Sequence, residues 1–432
     1  MNEHGHEEWK QQLVKCIRCG TCRSVCPVFK EENNENTTAR GKVQLLEGVL
    51  EGAVKLTPTL QERFNKCLLC KACVKGCPSG VRTDTLFLSA RLTNANKNSL
   101  PLAKRLAFKG LTFRKLFDTG LRIGSVMQNV VMKKSDDGRG NQARFNIPGS
   151  GLDLRRIIPP LAAKPLRDIV PEKTTVTNPK GRAVFFPGCM LNYIYPEAGK
   201  AVVNILKRNN WDVTIPTDLS CCGTPAFTSG DQATGRELAA ANLKALAGDY
   251  DVVITACASC GAALKNEYGE ILQNESDHNA WQKLSKKVLD ISEFVVKYGD
   301  PALFGALPMK VTYHDACHLV RGMDVSKQPR QVFATVPELD FRNMKDADVC
   351  CGAGGTFSMA YYNLSRRIND HKLDNAEATG ASCLVTGCSA CRMHITDGLS
   401  QRNSNMRVMH TAEIIDMAYQ NGEKQKKGGK QV

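Results

Sequence analysis

The sequence predicts an α+β protein in which a mainly α-helical N-terminal domain precedes a pseudo-duplicated α/β domain with parallel sheets. Three observations lead to this prediction. Apolar residues recur at helical spacing between two cysteine runs near the N-terminus. From Gly181 onward, strand-like apolar segments alternate with helical ones, which is the pattern of parallel sheets. A five-cysteine pattern occurs twice in this second half, so the α/β part is a duplication.

Length and composition allow two or three domains in a reducing compartment. The chain has 432 residues, of which 42% are hydrophobic, and 19 cysteines, far more than packing requires. The first residues are polar and acidic, so we expect neither a secretory signal nor a membrane anchor. No apolar run approaches the ~18 residues of a membrane-spanning helix. In a cytoplasmic chain, clustered cysteines are more often metal ligands than disulfides.

The formal net charge of +15 bears on the partners of this chain. Such an excess favours an anionic membrane face or an acidic protein surface. No nucleic acid partner is expected, because the basic residues are not interleaved with stacking aromatics and no recognised binding motif occurs. We therefore expect a cytoplasmic chain that can lie peripherally on the inner face of the cell membrane.

Two cysteine runs within residues 1–95 have the signature of a ferredoxin domain with two [4Fe-4S] clusters. Each has the form Cys-x-x-Cys-x-x-Cys-x-x-x-Cys-Pro, in which the fourth cysteine of one run serves the cluster of the other. The predicted ligands are Cys16, Cys19, Cys22 and Cys77 for cluster 1, and Cys67, Cys70, Cys73 and Cys26 for cluster 2. Zinc sites are the alternative, but their two Cys-x-x-Cys pairs leave the third cysteine and the Cys-Pro ending of each run unexplained.

The segments around these runs are predicted to be helical. Apolar residues from about Thr37 to Phe64 predict short amphipathic helices, so the ferredoxin domain is of an α-helical type. Residues 96–180 contain no cysteine and form a basic, amphipathic connector. The stretch from Leu100 to Met132 predicts a basic amphipathic helix, which suits an anionic membrane face or an acidic partner. Packing on its own domain is the commoner alternative. Residues 133–142 (KKSDDGRGNQ) are predicted to form a turn or a mobile loop, and Ile157 to Pro179 an extended linker.

The duplicated domain is predicted over residues 181–305 and 306–420, with a disordered basic tail over residues 421–432. The predicted strands are Arg182–Phe186, Trp211–Ile215, Asp251–Thr255, Lys310–Tyr313 and Cys383–Thr386. Cysteines follow the strand ends, at the edge where open α/β sheets place their sites. The two sets are Cys189, Cys221, Cys222, Cys257 and Cys260 in the first copy, and Cys317, Cys350, Cys351, Cys388 and Cys391 in the second.

Ten thiols in this pattern favour a metal centre in each copy or one shared between them. Redox disulfides at the Cys-x-x-Cys pairs are the alternative, although the vicinal pair in each copy favours metal. Cys383 lies outside both sets and is predicted to be a buried apolar residue. His314, Asp315 and His318 flank Cys317, where they could carry protons or, as is more usual, support the metal site through hydrogen bonds.

No Gly-x-Gly-x-x-Gly motif follows a predicted strand. The glycines at 352, 354 and 355 follow a cysteine pair and are interpreted as a tight loop at the metal site. We therefore predict no flavin or nicotinamide site and no catalytic residue in this chain, and no bound cofactor beyond the metal ligands. Hydride chemistry would take place on another chain.

Both five-cysteine sets resemble the cysteine-rich domain of the catalytic subunit of heterodisulfide reductase, in which two such sets hold non-cubane [4Fe-4S] clusters. Nearly the full chain more closely resembles the iron–sulfur subunits of glycolate oxidase and of FAD-dependent D-lactate dehydrogenases. The motifs that carry this resemblance are Ala39 to Lys42 (ARGK), Cys77 to Val81 (CPSGV), Pro187 to Cys189 (PGC) and His314 to His318 (HDACH).

This resemblance implies an iron–sulfur electron-transfer subunit. A separate FAD-containing subunit would oxidise a 2-hydroxy acid, glycolate or D-lactate. Electrons would then pass through the two [4Fe-4S] clusters, and one or two further clusters in the cysteine-rich copies, to an acceptor such as a membrane quinone. The His314 to His318 neighbourhood favours the second copy as the exit site. The iron–sulfur subunit of anaerobic glycerol-3-phosphate dehydrogenase shares the layout, and a thiol–disulfide reductase remains the alternative function.

Overall fold

The computed structural model describes residues 10–98, 100–145, 152–272 and 274–428. Within residues 10–98 the chain forms helices and a 3₁₀ turn, Glu35–Thr37, and no strand. The helices are α1 (Thr21–Ser24), α2 (Pro27–Glu32), α3 (Ala39–Leu50), α4 (Pro58–Asn65), α5 (Ala72–Lys75) and α6 (Thr83–Asn98). The prediction of a mainly α-helical N-terminal domain is therefore confirmed.

Local sequence signals explain where these helices start and how they pack. Thr38 caps α3 by accepting a hydrogen bond from the Gly41 amide, at 2.9 Å between Oγ1 and N. Lys42 on the same helix is buried, and its ammonium group donates to the Lys66 carbonyl over the ring of Phe87. The positively charged Lys42 side chain is therefore part of the domain's core, between the two cysteine runs.

The connector is more structured than a helix and a linker. Two helices, α7 (Leu102–Gly110) and α8 (Arg114–Val131), replace the single helix predicted over Leu100 to Met132. An antiparallel sheet follows, of strands β1 (Met132–Lys134), β2 (Asn141–Ala143) and β3 (Ile157–Ile158). A short helix, α9 (Leu166–Ile169), and the edge strand β4 (Lys173–Thr174) then lead to the first copy. The predicted turn is the β1–β2 hairpin, which Ser135 and Asp137 stabilise by a side-chain hydrogen bond.

The first copy is built on a five-stranded sheet in the order β4-β6-β5-β7-β8, in which only β4 is antiparallel to its neighbour. Its strands are β5 (Gly181–Phe186), β6 (Trp211–Thr214), β7 (Val252–Thr255) and β8 (Val288–Asp290). A π-helical segment, Ala263–Glu267, joins the helices Ala258–Ala262 and Tyr268–Ile271. The helices are α10 (Gly188–Tyr193), α11 (Pro196–Arg208), α12 (Thr224–Phe227), α13 (Gln232–Ala245), α14 (Ala258–Ala262), α15 (Tyr268–Ile271), α16 (Glu275–Ser285) and α17 (Ile291–Tyr298).

The second copy has a four-stranded parallel sheet in the order β10-β9-β11-β12. A 3₁₀ turn, Pro301–Leu303, precedes its strands β9 (Met309–His314), β10 (Leu339–Arg342), β11 (Cys383–Thr386) and β12 (Arg407–His410). Its helices are α18 (Cys317–Gly322), α19 (Gln328–Thr335), α20 (Phe357–Ala360), α21 (Tyr362–Glu377), α22 (Ser389–Gln401) and α23 (Thr411–Gly428). The central strands β7 and β11 are buried at every residue, as parallel strands covered on both faces should be.

The two copies face each other across closely packed backbone. The Ala258 amide donates to the Gly387 carbonyl at 3.0 Å, which joins the loops after β7 and β11. A Cβ placed on Gly322 of α18 would lie 2.7 Å from the Cβ of Ala262 on α14. Only glycine allows this approach, and the ends of the central strands of both copies are thereby held together.

The predicted disordered tail is wrong as far as residue 428, because α23 continues to Gly428. Gly422 lies against the Leu303 carbonyl, and Asn421 donates to the Ala306 carbonyl at 2.8 Å. Glu423 pairs with Arg208 of α11 at 2.8 Å. The Lys- and Gly-rich composition concealed these contacts. Residues 429–432 lie outside the described part of the chain.

Asp290 provides a stability prediction. It caps α17 by accepting from the Ser292 amide at 2.8 Å, and burial raises the pKa of Asp290 to about 7. The unfolded chain ionises an aspartate near pH ~4, so the folded state loses stability as the pH rises between these two values. Asp290→Asn keeps a capping oxygen and removes the charge. The difference between the melting temperatures of the variant and wild type, measured by circular dichroism, should shift by about 5 °C in favour of the variant from pH 5 to pH 8. A difference independent of pH would contradict this.

Candidate metal centres

The two cysteine runs fold into the same local backbone shape. Arg18 and Gly20 in the first run, and Leu69 and Lys71 in the second, all have positive φ angles between 50° and 85°. Three of these four residues are not glycine, so this left-handed backbone carries a conformational cost. The turn that it produces wraps the first three cysteines of each run around one cavity.

Cysteines line two separate cavities, four around one and five around the other, and Cys73 touches both. Cys16, Cys19, Cys22 and Cys77 surround one cavity, beside Arg40. Cys26, Cys67, Cys70 and Cys73 surround the other, beside Lys42 and Lys71. This is the crossed grouping that the sequence predicts, and the ligation itself stays a prediction. Burial raises the pKa of Cys26 to about 11, so a bound cation would be needed to hold its thiolate form at neutral pH.

The first five-cysteine set is a connected group of thiols. Cys221 contacts Cys189 and Cys222, while Cys260 contacts Cys222 and Cys257. All are buried except the half-buried Cys189. These contacts and burial raise the pKa of Cys221, whereas hydrogen bonds from neighbouring thiols lower that of Cys222. Thiols packed this closely cannot all ionise without a cation, so the donor set fits an iron–sulfur group.

Gly188 shapes the first set. Its φ is +60°, and a Cβ placed there would lie 2.7 Å from the Sγ of Cys260. The residue before Cys189 must therefore be glycine for both sulfurs to share the site. In the second copy the same position is Ala316, with an ordinary extended backbone, so the two sets are not identical in shape.

The second set is enclosed more completely. Cys350 contacts Cys317, Cys351 contacts Cys350 and Cys391, and Cys388 contacts Cys391. All five are buried.

One of the flanking histidines joins this set. A ring nitrogen of His314 and the sulfurs of Cys351 and Cys391 lie within 4.8 Å of one another. The sheet register places Phe186 at the corresponding position of the first copy. His314 Nδ1 lies 3.1 Å from the Ala347 carbonyl, and burial lowers the pKa of His314 to about 3. A neutral imidazole beside thiols can act as a ligand or a supporting group, and it distinguishes the second set from the first.

The other flanking residues have different roles. Asp315 pairs with Arg330 through two hydrogen bonds of 2.8 and 2.7 Å. His318 lies 3.9 Å from Glu267, which also approaches Lys71 at 3.7 Å. Cys383 packs in the core of the second copy at 0% exposure, as predicted. His394, whose Nε2 lies 3.0 Å from the Ser365 hydroxyl, supports the loop after Cys351.

Direct thiol contacts also join the cysteine sets to one another. Cys257 of the first set contacts Cys388 of the second, at the interface between the copies. Cys70 of the N-terminal domain contacts Cys350 of the second set. The cysteines therefore form an uninterrupted path from the second cavity, through the second set, to the first set. No sequence signal predicts these two contacts, because they depend on how the domains dock.

Arg91 helps to hold this docking. Its guanidinium donates to the carbonyls of Phe64, Asn65 and Cys67 in its own domain and to that of Thr228 in the first copy. A guanidinium carries five N–H donors and no acceptor, so four carbonyls can accept from it at once. The cysteine loop at Cys67 and the loop after Cys222 are thereby tied together.

Comparison with known families gives two matches. The family described as "4Fe-4S dicluster domain" matches residues 12–81, and the family described as "Cysteine-rich domain" (CCG) matches residues 183–265 and 311–396. The three matched segments contain all eighteen cysteines of the predicted clusters. The chain joins a ferredoxin domain to two CCG domains. It carries [4Fe-4S] clusters and has the role of an iron–sulfur electron-transfer subunit of an oxidoreductase.

Two glycolate oxidase subunits match this chain over nearly their whole length. The "probable glycolate oxidase iron-sulfur subunit" of Bacillus subtilis is 29% identical over 96% of both chains. The "glycolate oxidase iron-sulfur subunit" of Escherichia coli is 24% identical over 94% of both chains. A crystal structure of a hypothetical protein from Helicobacter pylori has a TM-score of 0.53 at 10% identity, over 95% of this chain and 72% of that one. This last similarity shows a shared fold alone.

Proposed function

We propose that this ferredoxin–CCG chain relays electrons from a separate FAD-containing dehydrogenase, which oxidises a 2-hydroxy acid such as glycolate or D-lactate, to a membrane quinone. The observation that carries the proposal is the succession of neighbouring, interacting thiols from Cys70, through the second set, to Cys189. A relay needs its redox groups close together, and the fold brings the cysteine groups of all three domains next to one another. Similarity to two glycolate oxidase iron–sulfur subunits supports the choice of donor.

The cysteines would hold the clusters as the sequence predicts. Two cubanes would use the two four-cysteine groups of the N-terminal domain, and each CCG set would hold a further cluster, with His314 as an added neighbour in the second. When bound, such clusters take up and release single electrons. The protein buries every thiol of the two CCG sets except Cys189, and it fixes the order in which the sets follow one another.

This order reverses the sequence-based expectation for the exit site. The second set contacts Cys70 and is enclosed, whereas the first set includes the half-buried Cys189. We therefore propose that electrons pass the second set before the first and leave near Cys189. His314 then belongs to an internal step of the relay and not to the exit.

The proposal predicts a captured flavoprotein. Affinity capture of the tagged chain under anaerobic conditions should recover an FAD-containing subunit. The complex should reduce a water-soluble quinone analogue with glycolate or D-lactate as donor, at a rate at least about 100-fold above that of either part alone. Cys383→Ala, which changes a buried cysteine outside the sets, is the matched control and should keep this activity. A chain that purifies with full iron content and binds no flavoprotein would contradict the proposal.

A thiol–disulfide reductase is the second candidate function. The meeting of two Cys-x-x-Cys pairs at Cys257 and Cys388 favours it, because clusters held side by side there would together supply the two electrons that reduction of a disulfide requires. Two electrons and two protons from water would convert the disulfide into two thiols. Disulfide reduction by the chain alone, with dithionite as the electron source and without the flavoprotein, would support this candidate over the relay.

A further inference from the structure

Exposed apolar side chains are concentrated in the connector. Nine of the sixteen large exposed hydrophobic residues in the described part of the chain lie between residues 102 and 131. We call these nine the apolar face. They are Leu102, Leu106, Phe113, Leu116, Ile123, Val126, Met127, Val130 and Val131. A water-facing helix pair with this many exposed apolar side chains indicates a surface that something else covers.

Helical geometry separates the apolar face from the rest of the protein. Leu116, Ile123, Met127 and Val130 recur at intervals of seven, four and three residues, so they share one side of α8. The other side packs inward. Phe117 meets the ring of Tyr193 edge-on, with centroids 5.8 Å apart, and Gln128 donates to the Leu161 carbonyl at 3.1 Å. The helix is thus anchored by one side and presents the other outward.

Unpaired positive charge borders the apolar face. Lys115, Lys133 and Lys134 are exposed and form no ion pair within the part of the chain that the structure describes. Arg114 and Arg122 of the same helix are instead committed to Asp218 and Asp168 of the protein itself. An apolar strip with free lysines is complementary to an anionic lipid bilayer, where the strip enters the acyl boundary and the ammonium groups meet phosphates.

The first cysteine set lies directly beneath the start of α8. Arg114 and Phe117 of this helix line a cavity together with Arg167, Cys189 and Cys221. The Nε–H groups of Arg114 and Arg167 are buried there without a hydrogen-bond partner. The cavity therefore combines access to the most exposed thiol of the set with two donors suited to carbonyl or anionic oxygens.

We infer that the apolar face binds an anionic lipid bilayer and thereby brings the Cys189 cavity, which lies on the inner side of α8, within one helix diameter of the membrane surface, where a lipid-borne acceptor reaches it past the start of the helix. This inference rests on the proposed function for the identity of the acceptor. The membrane contact itself does not depend on the flavoprotein. No helix within the described ranges is long and apolar enough to cross a membrane, so the contact is a surface one.

Vesicle sedimentation tests the membrane contact directly. The cluster-loaded chain should bind vesicles of phosphatidylglycerol and phosphatidylcholine at least about tenfold more tightly than vesicles of phosphatidylcholine alone, and high salt should weaken the binding. The triple variant Leu116→Glu, Ile123→Glu and Val130→Glu should bind at least about tenfold more weakly. Val296→Glu with Met359→Glu changes exposed apolar residues elsewhere and should bind as wild type does.

The outcomes separate this inference from the proposed function. Equal binding of the triple variant and wild type, or no binding by wild type, overturns the inference even where turnover with a water-soluble quinone analogue is intact. Loss of flavoprotein capture by the triple variant also overturns it, since the face would then be a protein interface. Unchanged iron content and circular dichroism of the Glu triple variant establish that it is folded. A second triple variant, Lys115→Gln with Lys133→Gln and Lys134→Gln, tests the contribution of charge and should bind the anionic vesicles more weakly than wild type.

Discussion

Substitution Cys388→Ser is expected to remove about four irons per chain and to lower turnover at least about 100-fold, while the clusters of the N-terminal domain remain. Cys388 lies where the two copies meet, in contact with both Cys257 and Cys391. Hydrogen bonding from Cys257 lowers the pKa of Cys388, so this sulfur is among those best suited to bind metal as a thiolate. Serine keeps the size of the side chain and removes the soft ligand.

Iron and sulfide analysis with EPR of the dithionite-reduced protein measures this effect. Cys383→Ala is the matched control. Cys383 begins strand β11, which leads to Cys388, and it is fully buried outside both sets. It should cost about 1 kcal/mol of stability and no iron. If Cys388→Ser kept its full iron content and EPR spectrum, Cys388 would not be a ligand, and the assignment of the second set would have to change.

The sequence was most informative where chemistry depends on residues close together in the chain. The two cysteine runs predict the grouping around the two cavities, because each run needs only one turn to bring its cysteines together. The central strands were predicted to within one residue, since the runs at Val252–Thr255 and Cys383–Thr386 are continuously apolar. Because the CCG cysteines follow the ends of these strands, the strand prediction also located the cysteines at one edge of each sheet.

Short or half-buried elements escaped prediction. Strands β8 and β10 have only three and four residues, and neither contains an apolar run longer than two residues. The β1–β2 hairpin lies in a polar stretch that resembles a loop, and its stability comes from Ser135, Asp137 and Arg139 contacts that composition cannot reveal. Intrinsic preference in such segments is weak, so tertiary contacts decide their structure.

Contacts between domains were beyond the reach of the sequence. Nothing in the spacing of Cys70 and Cys350, or of Cys257 and Cys388, indicates that these thiols touch. His314, Asp315 and His318 looked equivalent as neighbours of Cys317, yet His314 brings a ring nitrogen to Cys351 and Cys391, whereas Asp315 pairs with Arg330 and His318 lies beside Glu267. The proposed exit site followed from these contacts, and it differs from the sequence-based preference for the second copy because adjacency in sequence does not report depth in the fold.

Substitution Cys222→Ser tests the proposed order of the relay. It should lower turnover with a quinone analogue by about 100-fold or more. The captured flavoprotein should still reduce the N-terminal clusters. Cys222 lies in the first set, and hydrogen bonds from Cys221 and Cys260 lower the pKa of Cys222. If electrons left from the second set, the first set would be a side branch, and turnover would survive this substitution.

Cys351→Ser is the matched variant, since Cys351 occupies the corresponding position of the second Cys-Cys-Gly pair. Under the proposed order both variants stop turnover, because the second set connects Cys70 with the first. Rapid-freeze EPR after addition of the hydroxy acid distinguishes them. In Cys222→Ser the second set should accumulate in a reduced state, whereas in Cys351→Ser reduction should stop at the N-terminal domain. Turnover in Cys222→Ser near the wild-type rate, with its other iron intact, would place the exit at the second set.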